Sequence, residues 1–417
     1  MSVPGVLVDT RPLREHPTFR RLWLGTTASG LGSQLGVFAV TFYVWEHTRS
    51  PVMVGLIGLF TAAPMIAFAL LGSAFVDHVD RRRLALATTW GQIVTSLLMA
   101  AVAVRPGDGT WAMLVLVAVT AALSALGSPA RRTFVTRLLP ADRLAAGLAL
   151  NHLSFQMAVL LGPALAGLLT ARWGTTVCFV CNAIAAVAAL IGITGLPPTG
   201  ATDGAGRPGA GAVWEGIRYA ARTPVVRAAF LVDLSATVLA MPTALFPVIN
   251  QEKFGGSPEV LGLLTSAVAI GGVLASALSG TITRRNRPGL VLLGCAAVWG
   301  ASLAGVGLSG QLPVVLALLA LAGAADTWSV VSRGTIVQSR TPESHRGRVS
   351  ALEHVVGAAG PHLGGLRAGL VAGGSTAGTA LVVGGVTCLA GLGLIAALVP
   401  QLQRFTMTLE APAPAHS

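Results

Sequence analysis

Charge is what this chain has least of. Acidic and basic residues together make up 11% of its 417 positions, against about 25% in an ordinary soluble domain. A water-soluble fold of this length needs far more polar surface, so a soluble enzyme is excluded. A disordered chain is excluded as well, since it depends on low hydrophobicity. Lysine is nearly absent, Lys253 standing alone beside 27 arginines. No GxxxxGK[ST] loop occurs, and directly ATP-driven work is not expected. The four cysteines, Cys178, Cys181, Cys295 and Cys388, are too few for a disulfide scaffold. The CxxC made by Cys178 and Cys181 lies inside an apolar run, away from other ligands, and reads as small packing residues. The histidines show no HExxH or other metal spacing, so neither a metal, a cofactor nor a catalytic group is expected.

Apolar sequence is present in abundance, 53% of all residues and mostly in long runs. A bilayer core asks for about 20 consecutive apolar residues per helix. Twelve stretches qualify: 22–45, 52–76, 84–104, 111–128, 146–171, 176–196, 226–249, 260–282, 289–308, 313–332, 351–373 and 377–399. Their length and continuity, without period-two alternation, exclude barrel strands. The fourth blends into a basic stretch, and the eleventh carries Glu353, His354, His362 and Arg367. The net charge of +12 does not indicate a nucleic-acid partner, because the basic residues punctuate apolar runs instead of clustering on one wet face. With the N-terminus inside, 23 of them fall in cytoplasmic segments and 4 in outer loops. The positive-inside rule therefore predicts both termini in the cytoplasm. Residues 1–21 contain proline and acidic groups ahead of the first run, so no cleavable signal is expected.

The longest polar break, 197–225, opens with the Gly/Pro/Ala-rich PPTGATDGAGRPGAGA. It reads as a flexible cytoplasmic linker in which WEGIRYAAR can form a surface helix. The linker separates 22–196 from 226–399, and 400–417 is left as a cytoplasmic tail. These halves resemble repeats. RRTFVTRLLP (131–140) recurs as RGTIVQSRTP (333–342), and GPALAG (162–167) as GPHLGG (360–365). HPTFRR precedes the first run as TPVVRA precedes the seventh, and RRR after the second matches RRNR after the eighth. Internal duplication of this kind predicts two pseudo-symmetric six-helix bundles, an architecture used for alternating access.

SAFVDHVDRRRLAL between the second and third runs resembles the loop motif of the major facilitator superfamily, with Asp77, Arg81 and Arg82 in matching positions. His78 and Asp80 depart from the pattern. The segment 325–352, ADTWSVVSRGTIVQSRTPESHRGRVSAL, together with SPARRTFVTRLLP, is similar to the enterobactin-exporter-like and drug-efflux branch. The resemblance runs from about residue 12 to 400. It implies an all-α integral membrane protein of twelve transmembrane helices in two bundles, working as a secondary exporter. It also implies that Asp77, Arg81 and Arg82, with Arg131 and Arg348 as partners, latch the bundles at the cytoplasmic side. Simple positive-inside anchoring explains the same arginines. Gly162, Pro163 and Gly167, with Gly360 and Pro361 in the second half, match the branch's antiporter-type Gly-Pro motif. Ala166 takes one of its usual glycines, and plain helix packing accounts for these residues equally.

Charges within apolar runs are costly and generally face a cavity or a partner. Asp326 is the deepest, with Ser329 and Arg333 on its face; it reads as a protonatable or cation-binding group, or as one arm of an ion pair with an arginine. Asp233, early in the seventh run, carries the same two readings or lies at the interface. Glu353 suits the cytoplasmic gate with Arg346 or Arg348. Arg367 can attract an anionic substrate group or snorkel to the surface. Where related exporters carry Gly-Asp in the first span, this chain has Ser33 and Gln34, neither able to carry a proton, which leaves coupling to Asp326 or Asp233. Ser33, Gln34, Asn151, Gln156 and Asn182 can bond a substrate or a neighbouring helix, and Trp299 and Trp328 can line a cavity for flat apolar ligands. The expectation is export of an amphipathic small molecule, a siderophore or a hydrophobic drug, across a bacterial cytoplasmic membrane by a monomer in exchange for protons. An importer of the same fold, a membrane sensor and a lipid-acting enzyme are the alternatives.

Overall fold

Inside a bilayer every backbone N–H and C=O must find its partner within the segment, so each apolar run folds as a helix. The computed structural model describes residues 9–76, 80–196, 210–278 and 287–406. The first bundle contains α1 (Pro17–Thr48), α2 (Pro51–Val76), α3 (Arg81–Val104), α4 (Thr110–Leu138), α5 (Ala141–Trp173) and α6 (Thr175–Thr194). The second contains α7 (Pro224–Phe254), α8 (Pro258–Ala277), α9 (Pro288–Leu308), α10 (Leu312–Arg340), α11 (Glu343–Gly373) and α12 (Ala377–Leu398). Among the described residues there is no strand. Ten of these helices are long and apolar enough to cross a membrane by themselves. The exceptions are α1 and α11, which carry more polar groups and pack along α6 and α2 respectively. Large apolar side chains such as Val37, Ile184, Leu274 and Leu394 stay exposed on the outside, a surface suited to lipid and not to water.

Proline at the first or second helical position opens α1, α7, α8, α9 and α10, where its fixed φ helps and its missing N–H costs nothing. Asp80, Ser257 and Thr376 cap α3, α8 and α12 by accepting from the backbone N–H groups of Arg83, Val260 and Thr379. Gly174 alone connects α5 to α6 with φ +78°, a conformation that only glycine adopts readily.

The helices depart from the sequence boundaries most at α4 and α10. Both continue through the arginine-bearing stretches instead of stopping at 128 and 332. The basic stretch after the fourth run is therefore helix, and Arg131 and Arg333 lie within the bundles. The repeat is visible in the register: Thr110, Ala141 and Thr175 open helices whose counterparts open at Leu312, Glu343 and Ala377, each 202 positions later. That register corrects one pairing from the sequence. Gly162 corresponds to Gly364 and not to Gly360, one helical turn away. Gly162 faces the Cβ of Gln34 on α1, as Gly364 faces the Cβ of Met241 on α7.

The bundles meet along two helix pairs, α2 with α11 and α5 with α8. One end of the molecule carries the linker helix Ala210–Arg222 and most of the arginines, and is called the basic end below; the other is the far end. Glycines allow close approach near the far end, Gly262 against the Pro163 carbonyl and Gly167 against the Pro258 carbonyl. Arg49 of α1 also donates to Gln251 of α7 there at 2.5 Å. At the basic end the linker helix lies on α11: Glu215 pairs with Arg348 at 2.8 Å, and Tyr219 Oη donates to the Arg340 carbonyl at 2.6 Å. Residues 197–209 of the linker lie outside the described residues. The N-terminal segment docks on α5 through Arg143 and Glu15, 3.1 Å apart. The Arg11 guanidinium beside Asp9 holds that carboxyl down to about 2.

Candidate functional site

Two prolines five positions apart, Pro242 and Pro247, interrupt α7. The helix Pro224–Leu239 breaks, passes through a 3₁₀ turn at Thr243–Leu245 and resumes as Phe246–Phe254. Proline removes a backbone donor and frees a carbonyl one turn back. Arg367 of α11 donates to the Leu239 carbonyl exposed at this break. The guanidinium expected to attract an anion or to snorkel is thus bonded to backbone. Interrupted apolar helices are a pointer to membrane binding sites, and the Pro pair was the available sequence signal for this one.

Against the break lies a cavity of about 280 Å³ between the bundles, lined by Gln156 of α5, Met241 and Phe246 of α7, Thr265 of α8, Trp299 of α9 and Asp326 of α10. Asp326 is half-buried and has no hydrogen bond or ion pair among the described residues. Asp233 and Arg333 are its electrostatic neighbours. Those two form a buried ion pair between α7 and α10, with Asp233 7% and Arg333 6% exposed. Glu353 of α11 stands 3.6 Å from the same guanidinium. Arg333 therefore faces two carboxylates while Asp326 adds a third that pairs with nothing among the described residues, an imbalance at the point where α7, α10 and α11 converge. Glu353 meets Arg333, not the expected Arg346 or Arg348.

A second cavity, about 270 Å³, lies inside the first bundle between α1, α3, α4 and α6. Ser33 and Arg131 line it together with Asn182, which the sequence offered as a polar group able to bond a substrate or a neighbouring helix, and with Gln92 and Ser124, which it did not single out. Their helices lie apart in the chain, so no spacing rule could have found them.

The family described as transmembrane secretion effector matches residues 9–415 of this chain. The multidrug efflux pump Tap of Mycolicibacterium fortuitum is 27% identical over 413 residues, covering 94% of this chain and 98% of the relative. The enterobactin exporter EntS of Escherichia coli O6:K15:H31 is 25% identical over 418 residues, covering 98% of each. The chain belongs to the transmembrane secretion effector family of the major facilitator superfamily. In fold, this facilitator is similar to a bacterial homologue of the human lysosomal transporter Spinster, crystallised inward-facing and unoccupied. The TM-score is 0.70 at 16% identity, covering 97% of this chain and all of that one. The relatives are transporters embedded in membrane, and a small-molecule substrate follows from that membership.

Other sequence-derived residues of the facilitator occupy varied places. Asp77 lies outside the described residues. Arg81 is half-buried. Arg82 donates to the Thr194 carbonyl at 2.7 Å, within its own bundle and at a helix C-terminus that favours positive charge. Arg131 turns inward to Gln92, at 3.1 Å. Trp328 donates to the Ala275 carbonyl at 2.9 Å and, unlike Trp299, does not line the central cavity. Asn151 and Pro361 are half-buried, and Gly360 packs on the side chain of Thr237.

Proposed function

We propose that this facilitator exports an amphipathic small molecule, a siderophore or a hydrophobic drug, from the bacterial cytoplasm by alternating access, with protons entering in exchange. The observation that carries the reading is Asp326. It borders a cavity between the bundles, has no partner among the described residues, and neighbours a cluster already holding more carboxylate than guanidinium. Such a group takes up a proton or a cation when the cavity is wet on one side and releases it on the other. Gln156, Thr265 and Trp299 supply polar and aromatic contact for a ligand with apolar body and polar handle. The efflux and exporter names of the relatives support the outward direction. In this reading the basic end, with both termini, is cytoplasmic, and one chain is the working unit.

Cells preloaded with a fluorescent amphipathic dye, or starved for iron and assayed for secreted siderophore, supply the test. The exporter speeds loss of one or the other when the chain is produced, and collapse of the proton gradient stops that loss. Energised accumulation from outside would instead make it an importer. No change in either compound, in cells whose membranes contain the folded chain, would overturn the reading.

A further inference from the structure

The repeat preserves an arginine and discards its acids. With α1 and α7 aligned at Pro17 and Pro224, Asp233 corresponds to Thr26. With α4 and α5 aligned on α10 and α11, Asp326 corresponds to Ser124, Glu353 to Asn151 and Arg333 to Arg131. Thr26, Ser124 and Arg131 converge again, on the 270 Å³ cavity within the first bundle. In the second bundle the guanidinium meets Asp233 and Glu353. In the first, among the described residues, it meets neutral groups: Gln92 Oε1 at 3.1 Å, Thr89 Oγ1 at 3.3 Å and Thr88 Oγ1 at 3.5 Å. No carboxylate pairs with Arg131 among the described residues. The hydroxyls of Ser29 and Ser33, which also line the cavity, make no hydrogen bond among the described residues.

We propose that this cavity is an oxyanion subsite that takes the carboxylate of an amphipathic substrate, with Arg131 as its counter-charge and the α1 hydroxyls as neutral donors. A guanidinium in a low-dielectric wall gains most from an acceptor of opposite charge, and its planar fork fits a carboxylate with two parallel bonds. The cavity, about 270 Å³, has room for a head group. Among the described residues the bundles then offer opposite environments across the pathway, an excess of carboxylate in the second and a guanidinium without a carboxylate in the first. That the carboxylate belongs to a transported molecule rests on the export reading; that the cavity binds one does not.

The test uses the full chain in lipid nanodiscs, with benzoate as probe, neutral benzamide as its isostere, and calorimetry without any ion gradient. Benzoate should bind about tenfold or more tightly than benzamide, and Arg131→Gln should weaken benzoate by about tenfold or more while leaving benzamide unchanged. Thr26→Asp keeps Arg131 and rebuilds the carboxylate of the second bundle. It should abolish benzoate binding in a protein that melts no earlier than the parent, which keeps the test decisive if Arg131→Gln fails to fold. Equal affinity for the two probes, no benzoate binding by the parent, or unchanged benzoate affinity in Thr26→Asp would each overturn the proposal. So would markedly tighter benzoate binding in Asp77→Asn, since Asp77 would then already neutralise Arg131. Displacement of benzoate by equimolar sulfate would assign the cavity to free inorganic oxyanions and overturn the head-group reading. A chain that binds benzoate through Arg131 but exports nothing would uphold the subsite and sink the export reading; one that exports without such binding would do the reverse.

Discussion

Adding one methyl group at Gly262 should pry the bundles apart at the far end. Gly262 is the fifth residue of α8, and a Cβ built there would stand 2.6 Å from the carbonyl oxygen of Pro163 and 3.3 Å from the Cα of Ala164, both backbone atoms of α5. Ordinary contact begins near 3.4 Å, so the helices must separate by about 0.8 Å, and no side chain can yield instead. Overpacking of this order costs about 1–3 kcal/mol. Confined to the state in which α5 and α8 touch, that cost moves the balance between far-end-closed and far-end-open forms by about 5- to 150-fold. Spin labels at Glu46→Cys and Glu259→Cys, exposed positions facing the far-end cleft from opposite bundles, report the distance by pulsed electron resonance, with the four native cysteines replaced. The parent should show chiefly the short distance, and Gly262→Ala should show a longer one gaining at its expense. Gly294→Ala on α9 meets nothing within 4 Å and should leave the distribution as it was. An unchanged distribution in a folded Gly262→Ala protein would refute the view that this contact belongs to one conformational state.

Asp326→Asn should abolish transport driven by a pH gradient in proteoliposomes while leaving substrate counterflow and folding intact; normal gradient-driven transport would exclude Asp326 from coupling. Arg333→Met leaves Asp233 buried without its counter-ion, which costs about 3–5 kcal/mol. Adding Asp233→Asn should recover more than half of the lost thermal stability in detergent, and failure to recover would place the role of Arg333 elsewhere. Asp9 is held near 2 by Arg11, below its unfolded value, so its contribution is complete above about pH 4 and fades as pH falls towards 2. Backbone amides of the segment Arg11–Glu15 should accordingly keep their hydrogen-exchange protection at pH 5 and lose it near pH 2.

The helical, membrane-embedded character of the fold was legible in the sequence, because it depends on runs of one residue class along the chain. Bilayer thickness turns such runs directly into spans. The interior positions of Arg131 and Arg333 were not legible. An arginine closing an apolar run reads as the membrane boundary unless its partner is known, and the partners are Gln92 and Asp233, on helices far away in the chain. Arg367 misleads for a related reason: its acceptor is a backbone carbonyl, and every residue has one. The Gly-Pro pairing of the halves failed by one helical turn because matching letters at Gly360 outweighed packing, in which Gly162 and Gly364 meet the equivalent positions Gln34 and Met241. The proline pair in the seventh span was the signal most available and least used.

The first bundle also bears on why the second holds so much acid. Arg131 and Arg333 occupy equivalent places, and among the described residues Arg131 is held by Gln92, Thr88 and Thr89. Neutral acceptors stand there where Arg333 meets carboxylates. Ion pairing with Asp233 uses one of them, and Glu353 at 3.6 Å is a looser neighbour. Asp326 is left over, at a cavity wall instead of within the pair. A carboxylate near the middle of a membrane helix is costly to keep, and here Arg333 is an electrostatic neighbour that does not pair with it. On the proposed export reading, its place at the cavity between the bundles is where a proton or cation, arriving with one orientation of the helices and leaving with the other, would meet substrate.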